Sequence, residues 1–61
     1  MNVTLFNVTL SFLTNEGHRN APARMVRRER VEQFIAADAA AARLKAEAQT
    51  GCWVKKVEVA R

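Results

Sequence analysis

The sequence predicts a small α+β domain of order β–α–β, with β–β–α–β as the alternative: one long helix packed on a short sheet completed by dimerisation. Three observations carry this. Residues 2–14 are rich in Val, Thr, Leu and Phe and contain neither Gly nor Pro. From about residue 28 the chain is made of good helix formers up to a glycine, Gly51. Residues 52–60 return to a valine-rich, strand-like pattern. The predicted layout is a single domain over 1–61, with a strand at about 2–14, a basic loop at 15–27, a helix at about 28–50 and a strand at about 52–60.

The first strand is read from its period. Phe6, Val8, Leu10 and Phe12 alternate with Asn7, Thr9 and Ser11, as in a strand with one wet face. Val3 and Leu5 fall out of phase, because Asn-Val-Thr-Leu at 2–5 recurs at 7–10 and an odd offset flips the face. This implies either a bulge near Phe6 or a separate contact for residues 2–5. A strand edge bearing Val3 and Leu5 is the expected dimer contact.

Asn15 to Asn20 reads as a turn or loop around Gly17. After it the sequence allows two readings. Asn20-Ala21-Pro22 resembles a helix start. Yet arginines in a first turn oppose the helix dipole. The other reading extends 23–26 as loop or as a short strand hairpinned onto the first, with the helix beginning near Arg27 or Arg28. Within the helix, Val31, Phe34, Ala37, Ala41, Leu44 and Ala48 share a side at helical spacing, widened by Ile35, with Asp38 and Lys45 flanking. In the last strand Trp53, Val57 and Val59 share a face with Lys55. Val54, Lys56 and Glu58 take the other.

Size sets a limit on the core. A chain of 61 residues buries only about 60% of its unfolded surface. One cysteine, Cys52, excludes an internal disulfide, and one His with one Cys cannot close a zinc site. A homodimer or a tight protein partner is the expected remedy. The chain shows neither a basic signal n-region nor an apolar run long enough to span a membrane, and a lone thiol suits a reducing compartment. The expectation is a cytoplasmic protein without a membrane partner. The two Asn-Val-Thr sequons at Asn2 and Asn7 read as strand residues rather than glycosylation sites.

Charge is concentrated. Arg19, Arg24, Arg27, Arg28 and Arg30 face only one acid, Glu29, between residues 17 and 30, so this stretch alone carries the whole chain's net +4. Arginine offers a planar fork to phosphate or carboxylate. Lys55, Lys56 and Arg61 extend the patch if strand and helix start adjoin. The expected partner is an acidic protein surface or nucleic acid. No aromatic side chain interleaves with these arginines in sequence, so single-strand stacking is not indicated there. No catalytic constellation is evident, and neither a cofactor nor a small-molecule substrate is expected. His18 reads as a solvated loop residue, Cys52 as a small buried hydrophobe and Trp53 as the anchor of the core.

In size and composition over its whole length, the chain resembles accessory proteins of bacteriophages and other mobile elements. No motif narrows this to one family and no residue roles carry over. The resemblance implies a non-catalytic protein, in the bacterial host cytoplasm if phage-encoded, that binds and blocks a host polymerase, nuclease or defence complex. The alternatives are direct binding of DNA or RNA, or a structural dimer.

Overall fold

The alternating apolar run becomes the centre of the sheet. In the computed structural model, which describes residues 2–17, 19–20 and 22–60, β1 spans Thr4–Asn15. The expectations placed on His18, Ala21 and Arg61 lie outside the described residues. β2 spans Met25–Ala36 and pairs antiparallel with all of β1, from Thr4↔Ala36 to Asn15↔Met25. A helix, α1, covers Ala39–Thr50, and β3 covers Trp53–Val59. β3 pairs antiparallel with the other side of β1, giving the order β2-β1-β3. The fold is therefore α+β with the order ββαβ. β2 and β3 run parallel but do not pair, because this chain's own β1 lies between them.

Residues 28–36 correct the expected helix start. Their composition predicts the first turns of a long helix, and they form most of β2. Val31, Phe34 and Ile35 satisfy a helical stripe, but they also satisfy alternation. Phe34 and Ala36 point to the helix side and are buried, while Val31 and Ile35 point away. A twelve-residue partner strand outweighs local helix propensity. The element proportions reverse accordingly: the strands are long, the helix is short, and three strands of one chain make the sheet without a second subunit.

The helix begins where Asp38 caps it. Asp38 Oδ1 accepts a hydrogen bond from Ala41 N–H at 2.8 Å, satisfying a first-turn donor. Gly51 ends the helix as expected, with φ of 69° and its N–H donating to the Glu47 carbonyl. The buried stripe is Ala42 and Ala46, not the one set by Val31 and Phe34, and Leu44 is 66% exposed. Alanine lets the helix lie close on Phe6, Val8, Leu10, Phe34 and Ala36, with Ala41, Cys52, Val54 and Val57 packed around this core. Asp38→Ala is expected to cost about 1 kcal/mol. In a domain of this size that lowers the thermal midpoint by roughly 4–8 °C, measurable by circular dichroism.

A bulge in β3 reassigns its side chains. Thr9 pairs with Lys56 and Leu10 with Val54, so Lys55 is the extra residue. Val54 and Val57 therefore both face the helix. Trp53, Lys55 and Lys56 face the opposite, uncovered side, so the expected Trp53–Val57–Val59 face does not exist. Trp53 is 60% exposed and is not the core anchor. β1 itself runs without a bulge near Phe6, because its register with β2 is continuous. It is paired on both sides, so Leu5 presents a face and not an edge. Val3, exposed, lies just before the strand.

Candidate functional site

β3 stops pairing with β1 at Ser11. Beyond that row β1 and β2 continue alone as a two-stranded ribbon, and the molecule measures 55 × 22 × 13 Å. The ladder extends one step into the connection, where Glu16 N–H donates to the Arg24 carbonyl at 2.8 Å. Gly17 is needed here for space. A Cβ on it would lie 2.7 Å from the Ala23 Cα, which belongs to rigid backbone.

This ribbon gathers the expected binding residues and divides them. Arg19 and Arg24 are exposed near its tip. Arg27 pairs with Leu13 and lies on the uncovered face. Its Nη1 donates to Ser11 Oγ at 2.8 Å, and its guanidinium sits 5.4 Å from the Trp53 ring centroid. Ser11 is buried beneath it. Arg28 and Arg30 pair with Phe12 and Leu10 and lie on the helix side. Arg30 stands 5.6 Å over the Phe12 ring and 3.6 Å from Glu32. The arginines therefore do not form one patch. Arg27 and Arg28 emerge on opposite faces of a narrow arm, and Arg30 stands at its base, where β3 still pairs with β1.

Arg28 is held by a fork. Its Nε and Nη2 donate to the two Glu16 oxygens at 2.9 and 2.6 Å. These hydrogen bonds from Arg28, helped by one from Thr14 Oγ1, hold the Glu16 carboxyl below its ordinary value. The same hydrogen bonds raise the pKa of Arg28. The pair is solvent-exposed, so it orders the ribbon's end more than it stabilises the fold.

Lys55 and Lys56 are on the uncovered face, one row below Arg27's reach. Lys55 Nζ donates to Glu29 at 2.6 Å, and Lys56 Nζ lies 2.6 Å from Glu58. The hydrogen bond that Lys56 donates to Glu58 raises the lysine's pKa. Both lysines thus meet a carboxylate of their own sheet face, and the most concentrated charge stays with the ribbon arginines.

Sequence reasoning did not find Phe12 and Trp53 as companions of arginine. Neither lies within the arginine segment, and only strand pairing brings them there. It also missed Glu16 as the fork partner, although a carboxylate at a hairpin end opposite arginines is a signal once the hairpin is known. Comparison with protein-family models, with curated proteins and with solved structures finds no match to this chain.

Proposed function

We propose that the chain is a non-catalytic binding protein whose ribbon engages the phosphate backbone of duplex nucleic acid. The observation that carries this is the distribution of arginine on both faces of a two-stranded arm, Arg27 on one side and Arg28 on the other. A flat acidic surface meets one face only. A groove meets both, and a β-ribbon is narrow enough to enter a major groove about 12 Å wide. Arg19 and Arg24 at the tip add charge where the arm goes deepest. Such contacts position without reading bases, so binding is expected to tolerate sequence change.

The test is fluorescence anisotropy of labelled duplex DNA, single-stranded DNA and RNA at two salt concentrations. Four ribbon arginines, each on a phosphate, give a slope near −3.6, so raising salt from about 50 to 200 mM weakens duplex binding roughly 100-fold. A duplex that binds equally well at both concentrations, or not at all, removes this reading.

A second reading has one specific support. Arg28 already holds a carboxylate in a bidentate fork. An acidic protein segment that displaces Glu16 meets the same geometry. In that case the protein acts by occupying and blocking a partner, such as a host enzyme that handles nucleic acid. Absence of binding to all three nucleic acids, with capture of a soluble acidic protein that Arg28→Glu abolishes, favours it.

A further inference from the structure

We propose that the uncovered face of the sheet is the seat of a second copy of this chain, docked face to face. The molecule buries four large apolar side chains, Phe6, Val8, Leu10 and Phe34. On its opposite face Leu5, Leu13, Val31, Ile35 and Trp53 all stand exposed. Leu5 and Ile35 are direct cross-strand partners, and Val31 sits beside Thr9 two same-face rows away. Between them Gln33 Nε2 donates to Asn7 Oδ1, which satisfies each amide partly within the face. Five exposed large apolar side chains on one face of so small a molecule mark an interaction surface.

The occupant follows from edges, charge and area. Both free edges resist strand addition. β2 carries Arg28, Glu29, Arg30 and Glu32 in a row, and β3 carries the Lys55 bulge with Lys56 and Glu58. Charged and bulged edges oppose edge-to-edge pairing. The face, by contrast, matches its lysines with carboxylates of its own, Lys55 of β3 reaching across β1 to Glu29 of β2 and Lys56 lying beside Glu58. It is therefore compatible with a copy of itself, which a face of one sign is not. From Leu5 to Ser11, strands about 4.8 Å apart cover roughly 350 Å² in projection. With side-chain relief, two such faces remove on the order of 1,000 Å² from water, the floor for a specific interface. A two-fold pair repeats one patch on both copies, with sheets about 10 Å apart, helices outermost and both ribbons free.

Sedimentation equilibrium across micromolar concentrations tests this without any nucleic acid. The expected mass is twice the 6.8 kDa chain. Val31→Glu combined with Ile35→Glu should return it to one chain, a twofold drop. If that variant loses its circular dichroism signal, a crosslink decides instead. In a Cys52→Ser background, a short bis-maleimide should join Val31→Cys into a covalent dimer and should not join Ala40→Cys, on the helix. A wild-type monomer throughout overturns the proposal. So does a dimer that survives the double substitution, or one that crosslinks through Ala40→Cys and not Val31→Cys. A monomer whose Trp53 fluorescence is quenched by single-stranded DNA also overturns it and makes the face a base-stacking surface.

Discussion

Leu10→Ala is expected to abolish cooperative folding, while Leu44→Ala leaves it nearly intact. Leu10 is fully buried against the helix and the flanking strands, and Leu44 is largely exposed. Removing a buried leucine costs about 2–5 kcal/mol, through lost transfer energy and the cavity left behind. At roughly 0.05–0.15 kcal/mol per residue, a chain this short holds only about 3–9 kcal/mol in total. The core has few large side chains to collapse into the gap, and its helix contribution is Ala42 and Ala46. An exposed helical position usually stays within about 0.5 kcal/mol. Urea titrations of the two variants check the contrast directly. Comparable losses at both positions would contradict the packing described above, and would suit the helical stripe that includes Leu44.

The second large effect is on binding. Arg27→Glu and Arg28→Glu are each expected to weaken duplex DNA binding about tenfold, close to 1.4 kcal/mol, and together about a hundredfold. Each should also flatten the salt dependence by about one phosphate contact. The reason is positional. The two side chains point to opposite faces of the ribbon, so independent losses indicate that both faces touch the polyanion. If only one reversal matters, the arm lies on a surface and does not enter a groove. Arg28→Glu also sets a carboxylate beside Glu16 in place of the fork, so its circular dichroism must be compared with that of Arg28→Gln.

The candidate site was legible in part. The seven basic residues singled out from the sequence are all exposed, and five of them lie on β2 or the connection before it. Their arrangement was not legible. Neighbours in sequence on a strand point to opposite faces, so Arg27 and Arg28 part company, whereas helical spacing would have drawn Arg27 and Arg30 together. Trp53 looked like a core residue because large aromatics usually bury. The bulge at Lys55 instead turns Val54 and Val57 inward together and leaves Trp53 outside, under Arg27.

What the sequence determined by itself is what local physics decides. The period of Phe6, Val8 and Leu10 makes a half-buried strand wherever it is placed, Gly51 stops a helix because it accepts a left-handed backbone, and the arginine excess makes the chain basic in any fold. Tertiary structure decided the remainder. Residues 28–36 suit helix and strand alike, and pairing with all of β1 settled them as strand. That pairing moved the helix start to Asp38, sent the arginines onto an arm with two faces, and left an apolar face uncovered. Each of these depends on a partner distant in the chain, and a local period carries no record of which distant segment that partner is.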